Sequence, residues 1–137
     1  MPIQPNDLLI LSKSLLNKAT EEVEFRTCSN RSYYACYQEG CRIAPKATGY
    51  KPPSQNKKNI GHTDLHTLLS NHENQTPPNH RSQKDKAIIY IGVLMKQCFN
   101  LRVKADYRFN DTFQYNQALM AHLLADKIIK KATKLIP

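Results

Sequence analysis

The positions of proline divide this chain of 137 residues into stretches that can form long helices and stretches that cannot. Prolines stand at positions 2, 5, 45, 52, 53, 77, 78 and 137. A proline inside a helix removes a backbone N–H donor and clashes with the preceding turn, so long helices are confined to the stretches between these positions. The sequence therefore predicts helices in the three long proline-free stretches.

Hydrophobic residues recur within these stretches at spacings of three and four, which is typical of helices with one buried face. Five helices are predicted: one beginning after the N-cap Asn6, one from Ser29 or Asn30 to Pro45, and three over about 62–71, 82–101 and 112–135. Segments 45–60 and 72–81 are predicted loops because they combine proline with polar residues.

The same spacing predicts which side chains face the core. The inward positions are Leu8, Leu11, Leu15, Ala19 and Val23; Tyr34, Tyr37, Cys41 and Ala44; Ile88, Ile91, Leu94, Met95, Cys98 and Leu101; and Ala118, Ala121, Ala125, Ile128 and Ala132. Gly40 lies inside the second helix, where it favours close contact with another helix. We expect a single all-α domain over residues 1–137, an antiparallel bundle of four to five helices.

The chain is strongly basic, with a formal net charge of +9. Residues 1–27 are slightly acidic, whereas segment 45–60 carries four lysines and no acid, and the excess continues through the C-terminal half. A basic surface favours nucleic acid or anionic lipid as a partner. A solvated basic surface without a partner is the alternative.

The cysteines and the lengths of the apolar runs indicate the cellular compartment in which we expect the protein. The four cysteines form no CxxC pair, so a reducing cytoplasm is expected. The longest nearly apolar run, 87–95, is far shorter than the roughly 20 residues of a spanning helix, so we expect no membrane association.

Two histidines are the strongest hint of a metal. His62 and His66 are four residues apart and could form half of a site, but a second half is not evident and solvated histidines are the alternative. Cys36 and Cys41 are five apart and are interpreted as small buried hydrophobic residues. We therefore predict no metal and no cofactor.

Arg31 lies near the start of the second helix, beside Tyr33, Tyr34 and Tyr37. Two roles fit a cation on an aromatic face: contact with RNA, or a structural lock onto the end of another helix. A buried arginine needs a partner because the guanidinium stays charged, and we favour the structural lock.

Segment 101–109 joins the fourth and fifth predicted helices. It contains three cations, one carboxylate and two aromatic residues, namely Arg102, Lys104, Arg108, Asp106, Tyr107 and Phe109. Cations position phosphates and aromatic rings stack on bases, which indicates RNA binding. In the alternative, Arg102 pairs locally with Asp106 while the two aromatic residues pin the turn.

Three motifs together resemble the HEPN family (higher eukaryotes and prokaryotes nucleotide-binding). They are SNRSYYACYQEGCRIA, then GHTDLHTLL, then NLRVKADYRFNDTFQYNQALMAHLLADKII, and they occur in the order and at the spacing typical of that family. The resemblance covers about residues 8–130. It implies an all-α bundle that commonly forms a symmetric dimer.

The resemblance also implies a function. Many HEPN members are metal-independent ribonucleases of toxin–antitoxin modules, CRISPR effectors or other antiviral systems, and many prokaryotic members pair with a minimal nucleotidyltransferase. Active members carry an R-x4–6-H motif near the start of the last helical section. The resemblance places the catalytic candidates at Arg102, Asp106 and Tyr107.

This chain lacks the histidine of that motif. Arg102 matches the arginine, but the permitted histidine positions hold Tyr107, Arg108 and Phe109. Histidine serves as both acid and base near neutral pH, whereas tyrosine ordinarily titrates near 10 and is a poor base. Loss of a positioned acid–base group costs about 10²–10⁴ in rate.

Three hypotheses follow. The leading one is a HEPN-like homodimer that binds RNA or a nucleotide-handling partner without efficient cleavage, in a toxin–antitoxin or phage-defence system. Its RNA-binding residues are Arg31, Tyr34, Lys104 and Arg108. The second is an active metal-independent endoribonuclease that uses Arg102 with Tyr107, Asp106 or a distant histidine, His62 or His66. The third is a protein-interaction bundle with an acidic partner.

Overall fold

The chain folds into five α-helices in a computed structural model that describes residues 2–51, 60–72 and 78–137. The helices are α1 (Pro5–Lys18), α2 (Glu22–Thr48), α3 (His62–Ser70), α4 (Gln83–Tyr107) and α5 (Tyr115–Leu135), with a 3₁₀ turn at Pro78–His80. Within those residues no β-strand occurs. The predicted all-α helical bundle is confirmed.

Helix α2 lies at the centre and contacts the other four helices. Its N-terminal end meets the residue before α5, where Glu22 Oε1 accepts a hydrogen bond of 2.8 Å from the Phe113 N–H. Its C-terminal end meets the end of α5, where Arg42 Nη2 lies 3.5 Å from the Ala132 carbonyl oxygen. Helices α2 and α5 therefore run parallel, while α4 runs antiparallel to both.

The core lies where α2, α3, α4 and α5 meet. The five predicted inward residues of α5 are fully buried, as are most of those predicted for α4, although Leu101 is only half-buried. Gly40 makes the predicted close approach, since a Cβ there would lie 2.9 Å from both Leu65 and Met95. A second cluster at the other end joins Leu16, Cys28, Ala105, Phe113 and Ala118.

The predicted face of α1 is correct only in part, since Leu8 and Leu15 are partly buried against the core but the fully buried positions are shifted by one. Leu9, Ser12 and Leu16 are buried, whereas Leu11 is exposed and Val23 lies in α2 on the surface. Ser12 belongs to the core because its hydroxyl lies within hydrogen-bond distance of Ser32 Oγ and of His122 Nδ1, at 3.0 Å from the latter. The leucine pattern alone does not reveal a buried polar residue.

Helix α2 is longer than predicted at both ends. It begins at Glu22 because Glu21 and Glu24 form a reciprocal capping box. It also continues through Pro45, which loses one backbone hydrogen bond near the end of the helix. The last turn is closed by Gly49, whose N–H donates to the Pro45 carbonyl at 3.0 Å from a left-handed conformation of φ 76°.

The two predicted loops agree with the structure only in part. Residues 45–48 of the predicted 45–60 loop belong to α2, and residues 52–59 lie outside the described residues. In segment 72–81, residues 78–80 form the 3₁₀ turn and 73–77 lie outside the described residues.

Helix α4 extends six residues beyond its predicted end, and α5 starts three residues later than predicted. The residues 101–107 are therefore helical and do not form a connecting segment. The extension follows from burial of Ala105 in the second cluster, which fixes the last turns of α4 against α2.

Candidate nucleic-acid interface

Arg102 occupies the C-terminal part of α4 and pairs with the acid one turn later. Its Nε lies 2.9 Å from Asp106 Oδ2, as the i,i+4 spacing predicted. Asn30 of α2 donates to the same carboxylate oxygen at 2.8 Å. The pair is thereby tied to α2, and the direction of the guanidinium is fixed.

Three tyrosine rings surround this guanidinium. The Arg102 Cζ atom lies 5.7 Å from the ring centres of Tyr33 and Tyr34 and 5.3 Å from that of Tyr107. Only 11 % of the Arg102 side chain is exposed. Burial disfavours its charged form, but the four neighbours Tyr34, Asp106, Tyr107 and Tyr33 together outweigh burial and raise the pKa of Arg102. The cluster therefore presents a permanent, preoriented cation with aromatic neighbours, an arrangement suited to phosphate.

His62, the first residue of α3, lies beside the same rings. Its Nδ1 is 2.7 Å from the Tyr33 hydroxyl oxygen, and its ring centre is 4.2 Å from that of Tyr37. Burial, and then the charge of Arg102, lower the pKa of His62. The imidazole is therefore neutral near pH 7, and one of its nitrogens can accept a proton.

The two candidate histidines differ in their surroundings. His66 lies one turn along α3 and packs against Phe99, with ring centres 5.3 Å apart. Its pKa is lowered by burial and then by Lys96, and not by Arg102. The structure therefore brings His62, and not His66, to the tyrosines around Arg102.

Arg31 does not form the predicted structural lock. Within the described part of the chain it makes no hydrogen bond or ion pair, and its side chain is half-buried. It precedes Tyr34 by three positions and so shares a face of α2 with that tyrosine. The interpretation as a lock was wrong because a neighbouring arginine of α2 fills that role.

Arg26 is that arginine. Its Nη1 donates to the carbonyl oxygens of Lys104 and Ala105, at 3.0 and 2.9 Å, and its Nη2 donates to the Asp111 carbonyl. Glu22 pairs with Arg26 at 2.9 Å. The end of α4 and the connection to α5 are thus capped from α2. The i,i+4 spacing of Glu22 and Arg26 was visible in the sequence, but it does not indicate which helix end the pair would meet.

The predicted RNA-binding residues fall into two groups. Tyr34 contacts Arg102, with its hydroxyl oxygen 3.5 Å from Nη2. Lys104 and Arg108 instead line a groove between α4 and α5. Residues two apart on a helix do not face the same way, which is why Lys104 and Arg102 separate.

The aromatic residues at the end of α4 are on the surface. Tyr107 is 67 % exposed and Phe109 is 74 % exposed, so they do not pin the turn by burial. Tyr107 instead covers one side of the Arg102 guanidinium. The other half of that alternative, the local Arg102–Asp106 pair, is confirmed.

Two broader properties concern the described residues as a whole. No cluster of three or more histidine, cysteine or acidic residues among them has a geometry that could hold a metal ion. Likewise, none of the helices in the described ranges is both long and apolar enough to cross a membrane.

Comparison with known proteins found no family model, no curated protein and no solved structure that matches this chain. The arrangement around Arg102 therefore carries the functional proposal.

Proposed function

We propose that this protein binds RNA or a nucleotide at the cluster around Arg102 and does so without efficient cleavage. The observation that carries the proposal is the oriented guanidinium held between Asp106 and three tyrosines. Guanidinium groups bind phosphate oxygens in a bidentate manner, and the exposed Tyr107 ring offers a surface on which a base can stack. Arg31 and Tyr34 extend this surface along α2.

Inefficient cleavage follows from the groups that stand next to Arg102 on α4. Asp106 is engaged by Arg102 and Asn30. Tyr107 stands where the family motif has histidine. Its ring lies against the guanidinium of Arg102, where it can stack on that group or shield it. Burial raises the pKa of Tyr33 well above its ordinary value, so this phenol stays protonated and does not act as a base.

The resemblance to HEPN proteins supports a setting for this activity. We propose a cytoplasmic role in a toxin–antitoxin or phage-defence system, with a nucleotidyltransferase as a candidate partner. The excess of positive charge supports an anionic partner, a description that fits both RNA and the acidic protein of the third hypothesis. If the protein binds RNA, we expect a heparin column to retain it at low salt and to release it as the salt concentration rises.

The central experiment is a gel assay of labelled RNA without metal, run on four proteins. The wild type is expected to bind and to cut slowly or not at all. Arg102→Ala is expected to weaken binding, because it removes the phosphate ligand. Tyr107→Phe is expected to bind almost as the wild type does, because the ring is retained. Tyr107→His is expected to raise cleavage.

The outcomes separate binding from chemistry. Brisk cleavage by the wild type that is abolished in Tyr107→Phe would identify the tyrosine as catalytic and contradict the proposal. Absence of binding by all four proteins would remove RNA from the account and favour a protein-interaction bundle.

A second candidate function, an active ribonuclease, is favoured by the position of His62. The neutral imidazole can take the proton of a ribose 2′-hydroxyl, whose oxygen then attacks the adjacent phosphorus while the bond to the 5′ oxygen breaks and that oxygen takes a proton from water. Arg102 would hold the phosphate. His62→Asn should then abolish metal-free cleavage, whereas the matched control His66→Asn should retain it. Equal activity of the two variants would rule out this role.

We also propose a two-fold dimer that joins the Arg102–Tyr107 segments of two copies. Its support is the exposure of Tyr107 and Phe109 at the end of α4, together with the resemblance. Light scattering is expected to give about twice the 15.7 kDa of one chain. A mass of one chain at micromolar concentration would contradict the dimer.

A further inference from the structure

A groove between α4 and α5 lies outside the cluster around Arg102. Its volume is about 760 Å³. Its floor is apolar, with Leu101, Val103, Met120 and Leu124, and four amide side chains stand along it: Gln97, Asn100, Asn116 and Gln117. Lys104 and Arg108 lie at the end of α4 that borders this groove. The groove thus combines apolar surface, hydrogen-bonding groups and positive charge.

The face that lines this groove continues along both helices. On α4 the residues follow each other at spacings of three and four: Tyr90, Val93, Gln97, Leu101, Lys104 and Arg108. On α5 the corresponding stripe is Asn116, Met120, Leu124, Lys127 and Lys131. Eighteen residues separate the ends of the α4 stripe, which is about 27 Å along a helix. The surface is long enough for an extended chain.

A second cleft, of about 360 Å³, lies at the far end of these stripes and is lined by Lys86, Tyr90 and Lys131 among others. Lys127 Nζ is 3.3 Å from the Tyr90 hydroxyl oxygen, and Lys131 Nζ is 4.7 Å from the ring centre. The tyrosine therefore holds two ammonium groups in place. Ligands bind such prearranged cations at a smaller cost in side-chain entropy than they bind free lysines.

The charge of both clefts is of one sign. In the part of the chain that the structure describes, none of the side chains lining either cleft is acidic. Two carboxylates that are adjacent in sequence to lysines of these stripes or clefts are engaged elsewhere: Asp85 with His72 at 2.8 Å, and Asp126 with Lys130 at 2.8 Å. A polyanion would therefore meet positive charge at both ends of the groove without a repelling carboxylate in its lining.

We infer that the α4–α5 groove binds a single strand of RNA, an inference that rests on the proposed RNA-binding function. The cations at the two ends contact phosphates, the amides pair with exposed base edges, and the apolar floor supports the base faces. The four amides can pair with the donors and acceptors that unpaired bases carry along their edges. The cluster around Arg102 then contacts a separate part of the same RNA.

The test uses fluorescence anisotropy with a labelled oligouridine of about 12 nucleotides, a length within the range that single-strand grooves cover. Met120→Glu places a carboxylate on the groove floor, and the matched control Leu123→Glu makes the same change three residues along α5, outside the groove. The two side chains are 54 % and 55 % exposed, so both variants should fold. We expect Met120→Glu to weaken binding by about tenfold or more and Leu123→Glu by much less. Circular dichroism checks the helix content of both.

A second measurement does not depend on Met120. Lys104→Ala combined with Lys131→Ala removes one cation from each end of the groove. The affinity falls as salt rises, and each lost phosphate contact makes the slope of log affinity against log salt less steep by roughly 0.7 for a single strand. The control, Lys13→Ala with Lys18→Ala, removes two exposed lysines from α1 and should leave the slope unchanged.

The outcomes distinguish this inference from the proposed function. If the wild type binds RNA, Arg102→Ala weakens binding, and Met120→Glu behaves as Leu123→Glu does, the groove is not the site and the proposed function stands. If the wild type binds no RNA, the groove inference and the proposed function both fail. If Met120→Glu converts a dimer to a monomer, the groove is a contact between copies and the inference is overturned.

Discussion

Two arginines of α2, five residues apart, show how differently one residue type is used in this protein. Arg26 has 12 % of its side chain exposed and donates to carbonyl groups at the end of α4 and in the connection to α5. Arg31 makes no hydrogen bond or ion pair among the described residues. The first holds the end of α4 in place, and the second makes no such contact in the part of the chain that the structure describes.

Substitution of Arg26 should therefore destabilise the protein. Arg26→Ala removes the donor from partly buried carbonyl oxygens and should lower the free energy of unfolding by about 2 kcal/mol. Arg31→Ala is the matched control and should change it by less than about 0.5 kcal/mol. Urea denaturation followed by circular dichroism measures both. Equal stability of the two variants would show that the Arg26 hydrogen bonds do not hold the end of α4.

At the scale of single residues, the sequence predicts contacts between neighbours on one helix and misses contacts between helices. The Arg102–Asp106 pair follows from an i,i+4 spacing, because such residues are neighbours on any helix. The contact of His62 with Tyr33 joins residues 29 apart and depends on how α3 packs on α2. Spacing along a chain carries no information on such packing, so His62 was only one of two histidine candidates.

The elements themselves are shaped by two close approaches of helices. Gly40 of α2 faces the flexible ends of Leu65 and Met95. Gly92 of α4 faces the backbone of α3, since a Cβ there would lie 2.3 Å from the Ser70 nitrogen. The sequence predicted the first contact and not the second, because Gly92 lies within the run IIYIGV, which shows no break in its helical period.

The two glycines should respond differently to alanine. Gly92→Ala forces α3 and α4 apart, because backbone atoms cannot move aside singly, and should cost about 2–3 kcal/mol in unfolding free energy. Gly40→Ala should cost clearly less, because side-chain ends can shift and alanine gains about 1 kcal/mol in helix propensity. Denaturation midpoints in urea give the comparison. A Gly92→Ala protein as stable as the wild type would show that the two helices can separate freely.

Helix faces were predicted well where the buried residues are apolar and poorly where they are polar. The alanine and isoleucine stripe of α5 is buried throughout. On α1 the buried face includes Ser12, which a hydrophobic pattern excludes. The ends of α2 and α4 were misplaced because caps and long-range hydrogen bonds, such as those of Arg26, extend helices beyond their apolar stripe.

At the scale of the whole molecule, three histidines that are buried or half-buried have pKa values shifted in the same direction. Burial lowers the pKa of His62, His66 and His122. For His122, Asp126 opposes this effect and Lys13 adds to it. The folded state therefore favours the neutral imidazoles more than the unfolded state does.

Stability should consequently fall in mild acid. Above the ordinary histidine pKa of about 6.5 the neutral form predominates in both states, and the fold has its full stability. As the pH falls below that value, the unfolded state binds more protons, and stability is lost. Urea midpoints at about pH 7.5 and about pH 5 should show a marked drop in the wild type. His122→Gln should reduce the drop, whereas His80→Gln, at an exposed position, should not. An unchanged midpoint at the two pH values would contradict this assignment.

At the scale of the whole surface, net charge predicted a basic protein but not where its cations lie. Arg102 and Lys104 are two residues apart in sequence, yet one lies among the tyrosines of α2 and the other lines the groove against α5. The helical geometry of residues 101–107 decides this separation, and the sequence had indicated a connecting segment there.

The hydrogen bond between Ser12 and His122 spans 110 residues of sequence. Contacts of such separation must overcome a large loop-closure entropy before they stabilise anything, and they slow folding relative to bundles of consecutive hairpins. Helices α1 and α2 place part of their buried surface against α5, which is synthesised after the other four helices. On the ribosome, the helices that precede α5 must therefore wait for it before the core can close.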